Sequence, residues 1–415
     1  MKKEMKNRTV ITGMGIWSCL GTTLQEVRSS LYEGKSGIVF SQERKDSGFR
    51  SPLCANIETP NLRPLIPRNL RQFMPEEAGY AFMATKDALA MAHLDQDYID
   101  SHEVGIVYGN DSVAEATMRA LDKFREFHDT AACGSGSIFQ SMNSTVTMNL
   151  ACLFHLKGIN LTASAACASG SHAVGLGALL ISNGLQECVV CGGAQEANQY
   201  SVAAFDGIQS FSTREEAPAQ ASRPFDKDRD GLVPGGGAAT LILESYDHAM
   251  RRGAPIIAEV VGWGFSGNGY HISTPTVEGP ARSLELCLQS AGMTPEDIGY
   301  INAHATSTKI GDAREAQAIA RIFGERRVPV TSTKSQTGHE MWMAGASELI
   351  YSIIMMKNDF IAGNINFGEP DEQTACINVV GETIEAHFDT FLSNSFGFGG
   401  TNSTIIVKDF INNQK

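Results

Sequence analysis

Nine cysteines occur in the 415-residue sequence, and one of them stands where a nucleophile would be built. Cys167 lies in TASAACASGSHAVGLGALL, residues 162–180, between two runs of small residues. The run before it reads as a strand. After it, Gly170, Ala173, Val174, Gly177, Ala178 and Ile181 recur at i, i+3, i+4, i+7, i+8 and i+11, which predicts a helix with one face of small groups. Leu176, Leu179 and Leu180 occupy the other face, so the helix is expected to be apolar and buried on both sides. Its glycines weaken it as a helix and are explained by close packing. Cys167 then sits at the helix N-terminus, where unpaired N–H groups and the helix dipole favour a thiolate. That setting predicts the most reactive of the nine thiols, and a strand–turn–helix corner of this kind suits acyl transfer.

A thiol that carries acyl groups needs proton-transfer or anion-stabilising partners. Two of the ten histidines follow predicted strands, where parallel α/β folds place their chemistry, and both are flanked by small and hydroxyl residues. His304 is in INAHATSTKIGD, with Thr306 and Thr308 after it. His339 is in TSTKSQTGHEMWMAGASE, with Lys334 before it and Glu348 beyond. In SNSFGFGGTN, residues 393–402, Ser395, Gly397, Gly399 and Gly400 bracket Phe396 and Phe398. Glycines permit close backbone approach, so N–H groups here could hold an oxyanion; a hairpin turn with two core phenylalanines is the plainer alternative.

These residues need a scaffold. Short β-branched runs at 9–15, 102–109, 158–166, 187–193, 238–244, 256–264, 298–305, 328–334 and 403–409 predict strands covered on both faces, as in layered α/β folds. Further helices are predicted at 76–93, 280–291, 312–323 and 346–357; in DAREAQAIARIFG the leading acids and Gly324 read as helix punctuation. The length exceeds what one core usually organises, and a junction is placed near 250–256. Lys plus Arg total 33 and Asp plus Glu 46, a net charge of −13. That balance argues against sequence-independent nucleic-acid binding but leaves room for a local basic patch that steers an acidic partner. No window of about 18 apolar residues predicts a membrane span. The start MKKEMKNRTVITGMGIW is basic and then apolar, but Thr12, Gly13 and Gly15 break it into strand plus turn rather than a signal peptide. Cys188 and Cys191 have no second pair and are expected to be buried strand thiols, not zinc ligands. The odd cysteine count fits a reducing cytoplasm.

In their joint order, the Cys, His, Lys/His and GFGG stretches resemble those of the β-ketoacyl-acyl-carrier-protein synthases, condensing enzymes of the thiolase-like superfamily. The resemblance runs along nearly the whole chain. It includes VITGMGIWSCLG, EGKSGIVFSQERKDSGFRS, SRPFDKDRDGLVPGGGAA and ELIYSIIMMKNDFIAGNINFGEPDE, the last three most similar to type I synthases. It implies an α/β, thiolase-like fold of two βαβαβαββ halves, 1–253 with the cysteine and 254–415 with both histidines. These would form five layers, α-β-α-β-α, and work as a homodimer. The implied reaction is decarboxylative Claisen condensation of an acyl thioester with malonyl-acyl carrier protein, in fatty-acid elongation and without metal or redox cofactor. Cys167 would carry the acyl chain. His304 and His339 would stabilise the enolate formed as CO2 leaves, with Lys334 and Glu348 setting their electrostatics. The N–H groups of Cys167 and Phe398 would form the oxyanion hole, and Phe398 would gate the acyl pocket. Thr306 and Thr308 would bond the pantetheine amides; Phe396 and Glu348 are counted with them on the substrate side. The basic patch expected to dock the carrier protein is Arg68 and Arg71 with Lys123 and Arg125.

Three stretches depart from the family pattern. Ala305 stands where glycine is usual, Met341, Trp342 and Met343 follow His339 where small residues are usual, and YGNDSVAE, with Asn110, Asp111 and Ser112, replaces a glycine-rich stretch. All three are expected near the substrate cavity or its wall. They leave open a specialised ketosynthase of a polyene or polyketide pathway. A non-catalytic heterodimer partner subunit is the weaker alternative, because such partners typically lack the nucleophile and Cys167 is present. A plain thiolase would need a second cysteine, and Cys376 lies away from the glycine-rich turn.

Overall fold

Every residue of β1 (Thr9–Trp17) is buried, as expected of a β-branched strand covered on both faces. The computed structural model describes residues 7–410. After β1 come α1 (Glu76–Met91), β2 (Val104–Gly109), α2 (Thr145–Phe154), β3 (Asn160–Ala163), α3 (Ser169–Ser182), β4 (Cys188–Gln195) and β5 (Gly237–Ser245). The pattern then starts again: β6 (Ala258–Gly267), α4 (Glu278–Ala291), β7 (Tyr300–Asn302), α5 (Lys309–Phe323), β8 (Pro329–Thr331), α6 (Ala344–Lys357), β9 (Thr390–Gly397) and β10 (Thr401–Asp409).

Strand order repeats with element order. One side of the sheet runs β3-β2-β4-β5-β1 and the other β8-β7-β9-β10-β6, with Asn378–Val379 added beyond β8. In each set the second strand is parallel to its neighbours and the last two pairings are antiparallel. The first strands meet antiparallel, Thr9 opposite Val260 and Ile11 opposite Ala258, and join the sets into one eleven-stranded sheet. Helices α1 and α2 pack together outside one half, α4 and α5 outside the other, and α3 packs on α6 between them. The result is the five-layered thiolase-like α/β arrangement.

The central contact is what the small residues serve. A Cβ on Gly170 would stand 2.9 Å from the carbonyl oxygen of Trp342 and 3.0 Å from the nitrogen of Ala346, tighter than real side chains allow. Leu179, however, is exposed and Leu176 and Leu180 are half-buried, so α3 is not buried on both sides as expected. Leu176 and Leu180 still pack against the central core, and Leu161 of the edge strand β3 is exposed like Leu179.

The nine predicted strands and the helices at 76–93, 280–291, 312–323 and 346–357 are all present, with altered ends. β7 and β8 stop after three residues each, because the chain leaves the sheet there to form the loops bearing His304 and Lys334. β9 was not expected. Its inner positions Ser393, Asn394 and Ser395 are polar yet buried, and this hides a core strand from a hydrophobicity pattern. Cys188 and Cys191 are buried in β4, where burial pushes both thiols up.

Candidate active site

The repeat explains why distant motifs meet. Cys167 directly precedes α3, and His339 precedes α6, the corresponding helix of the second half. Packing α3 on α6 brings their two N-terminal ends together. Ala166 takes a left-handed φ of 46°, which makes the sharp corner before Cys167. Gly338, at φ 68°, does the same for His339, where a side chain would be strained. The His339 N–H donates to the Val233 carbonyl at 2.6 Å and the Gly235 N–H to the His339 carbonyl at 2.7 Å, so the LVPGG segment clamps that loop.

His304 leaves the end of β7 and meets His339 edge to face, with ring centroids 5.3 Å apart. Both rings are buried, and among the described residues His304 Nδ1 and both nitrogens of His339 have no hydrogen-bond partner. Burial holds both imidazoles well below their ordinary pKa; the Lys334 charge acts in the same direction, and His339 adds to the effect on His304. Both are therefore neutral at pH 7. Lys334 is buried and ion-paired with Glu348. Burial pushes the Glu348 carboxyl up to about 7, with Lys334 opposing it.

Cys167, His304, His339, Thr306, Phe396 and Phe398 all line one cavity of about 520 Å³. Thr308 lines it too, its hydroxyl 3.1 Å from that of Thr306. Burial dominates the Cys167 thiol, and the Lys334 charge and the Phe398 N–H oppose it. Burial pushes the Cys167 thiol up to about 12, so the expected helix-terminal thiolate is a thiol at rest. Cys152 is the exposed thiol, whereas Cys167 is reached only through the cavity. Phe398 is 39 % exposed and stacks on Phe205 at 6.2 Å, and Phe205 lies 6.2 Å from Trp342, an aromatic row leading inward.

Other expected site residues fall elsewhere. Glu348 lines none of the cavity, because Lys334 holds its carboxylate behind the histidines. Arg68, Arg71, Lys123 and Arg125 line none of it either. Gln72, next to Arg71, accepts from Gln140, whose short helix packs on Glu115–Phe127, the helix that carries Lys123 and Arg125. Of the departing stretches, Ala305 and Met341 line the cavity. Asn110–Ser112 do not; Asn110 is buried, and the Asp111 carboxylate is held by Ser164.

Glu315 escaped the sequence reading. It accepts the N–H groups of His304 at 2.9 Å and Ala305 at 2.7 Å, and the Asn394 amide at 3.0 Å. It thereby ties the His304 loop to α5 and β9. Asp312 accepts from the N–H groups of Phe225 and Thr308. The two acids are buried loop anchors rather than dipole partners in a solvated first turn. A signal existed: Asp312, Glu315, Ala316, Ile319 and Phe323 share one helical stripe, which places both acids on the apolar face.

The sequence pattern of the Beta-ketoacyl synthase, N-terminal domain, matches residues 6–249, and that of the Beta-ketoacyl synthase, C-terminal domain, matches residues 257–368. The chain belongs to the β-ketoacyl synthase family. It is 39% identical to 3-oxoacyl-[acyl-carrier-protein] synthase 1 of Escherichia coli over 404 residues, covering 97% of this chain and 98% of that one. Identity to the synthase 1 of Haemophilus influenzae is 40% over 406 residues, 97% and 99% of the two chains. Among solved structures, a beta-ketoacyl synthase from Burkholderia phymatum superposes with TM-score 0.93 at 37% identity, covering 98% of this chain and all of that one. The ishigamide ketosynthase/chain length factor does so with TM-score 0.91 at 29% identity and the same coverage.

Trp342 stands beside this family site without lining the cavity. It is 4 % exposed and packs in one apolar cluster with Cys167, Val202, Phe211, Leu232 and Met341. It is thus wall packing behind the His339 loop. Trp342→Ala is expected to cost about 3–5 kcal/mol of stability. Acyl primers should keep their rank order of kcat/KM, as read from thermal unfolding and a primer series; a reordered series would instead make Trp342 a selector of chains.

Proposed function

We propose that the protein condenses an acyl thioester, held on Cys167, with a malonyl thioester borne by an acyl carrier protein. One observation carries this reading: a thiol and two neutral, unpartnered imidazoles converge in one cavity above a buried lysine. In the first half-reaction the Cys167 sulfur attacks the acyl carbonyl. Its proton leaves with the departing carrier thiol, and the N–H groups of Cys167 and Phe398 hold the oxyanion. In the second, the malonyl donor loses CO2. His304 and His339 donate to its thioester oxygen, the enolate carbon attacks the acyl carbonyl, and the C–S bond to Cys167 breaks. The released sulfur takes up a proton. Neutral imidazoles suit this task because they donate hydrogen bonds to a developing enolate without needing to deprotonate first.

Residues 1–253 supply the nucleophile in this reading and 254–415 the two histidines. Thr306 and Thr308 bond the amides of the carrier arm, Phe398 gates the acyl pocket, and Phe396 lines it. Arg68, Arg71, Lys123 and Arg125 dock the acidic carrier. The protein works as a homodimer through the β3 edge, which the exposed Leu161, Leu179 and Leu185 favour. No described helix is long and apolar enough to cross a membrane, and we place the enzyme in the cytoplasm. Mass spectrometry of carrier-bound products, made from malonyl carrier protein and defined acyl primers, tests the reading. A product two carbons longer with a 3-keto group is expected; decarboxylation without chain extension would refute it.

A further inference from the structure

Burial falls steadily along the cavity. Cys167, His304 and His339 are buried, Thr306 and Thr308 are half-buried, and Lys309, Ile310 and Arg314 are exposed while lining the same space. A linear ligand with its thioester at the inner end and its amides at the threonines would bring its next polar group to the rim. Two cations stand there. Among the described residues Lys309 pairs with no carboxylate, and the Arg314 guanidinium reaches only the Gln317 amide oxygen at 3.2 Å. The acids that share the cavity are otherwise engaged: Asp230 faces Arg214, and Glu315 holds three N–H donors. In a chain of net charge −13, two cations beside the reaction cavity thus meet no carboxylate among the described residues. Their platform is fixed. The buried Arg229 donates to the Thr308 carbonyl at 3.1 Å and the Lys309 carbonyl at 2.8 Å. Thr308 caps α5 without using its hydroxyl on the helix; that hydroxyl instead lies 3.1 Å from the Thr306 hydroxyl, facing the cavity.

We propose that Lys309 and Arg314 form a phosphate subsite at the rim of the cavity, holding the phosphodiester of the pantetheine arm that carries the malonyl group. This rests on the condensation reading. It differs from the Arg68, Arg71, Lys123 and Arg125 patch, which would touch the carrier's protein surface. The ligand chemistry is a phosphate ester on a pantetheine chain, common to carrier protein and coenzyme A. A guanidinium and an ammonium together suit it, the first by its planar donor fork and the second as a point charge.

The test compares wild type with Lys309→Gln/Arg314→Gln on three donors: malonyl-carrier protein, malonyl-coenzyme A and malonyl-pantetheine, which lacks the phosphate. For the variant, the ratio of kcat/KM for malonyl-coenzyme A to that for malonyl-pantetheine is expected to fall about tenfold or more, the scale of a lost charged hydrogen bond. The carrier-protein ratio should fall alike, and the salt dependence of both should flatten. Unaltered ratios would overturn the subsite. So would a loss confined to malonyl-carrier protein, which would make the two cations readers of its surface. Wild type that extends no acyl chain with any of the three donors would refute the condensation reading itself. Both side chains are exposed, so a folding defect is not built into the variant, and unchanged thermal unfolding checks this.

Discussion

Cys167→Ala is expected to abolish acyl transfer, leaving no acyl adduct on any of the eight remaining cysteines. The expectation does not rest on a resting thiolate, because burial pushes this thiol up to about 12. It rests on position. Only Cys167 among the nine lines the cavity with both histidines and the Phe398 N–H. Cys152 is exposed, and Cys188, Cys191 and Cys287 are buried elsewhere. Proton loss from Cys167 is therefore expected to accompany acyl transfer rather than precede it. Incubation with an acyl carrier thioester followed by peptide mapping measures the adduct directly. Cys167→Gln, an uncharged isostere of the acylated side chain, should keep malonyl decarboxylation while losing condensation. An adduct on another cysteine in the wild type would overturn the assignment, as would turnover by the alanine variant.

Replacing either histidine should separate the two half-reactions. His304→Ala and His339→Ala are each expected to lose condensation by about 10²-fold or more, the scale for removing one donor to a developing oxyanion. Acylation of Cys167 should suffer less, because its oxyanion is held by backbone N–H groups. Both rings are kept neutral chiefly by burial, and their unpartnered nitrogens leave them free for substrate. Single-turnover acylation, read beside release of labelled CO2, makes the comparison. Equal loss of both half-reactions in both variants would contradict the division of labour. His304→Ala also leaves the Glu315 anchor intact, since that carboxylate holds the backbone N–H groups of His304 and Ala305 rather than the ring.

Much of this was legible before any fold was known. Cys167, His304, His339 and the GFGG turn announce themselves because chemistry at strand ends needs unusual residues among small ones. Nine strands and five helices follow from periodicity alone. Two of the misses share one cause. Asp312 and Glu315 read as ordinary helix-start acids, and β9 reads as a polar loop. In both cases a buried polar group is satisfied by a partner far away in sequence, such as Asn394 for Glu315. A linear pattern counts polarity but not who satisfies it.

The sequence by itself determined the inventory: the candidate reactive residues, most of the strands and the main helices, and which family the order of motifs resembles. These are local properties, written in residue type and spacing. Tertiary structure decided everything that depends on distance and desolvation. It put the equivalent ends of α3 and α6 together, so that a cysteine and a histidine 172 positions apart share one cavity. It placed Glu348 behind Lys334 rather than against substrate. It also reversed the sign at the nucleophile. A helix N-terminus favours a thiolate, but the energy of removing a charge from water grows with burial, and at Cys167 burial wins.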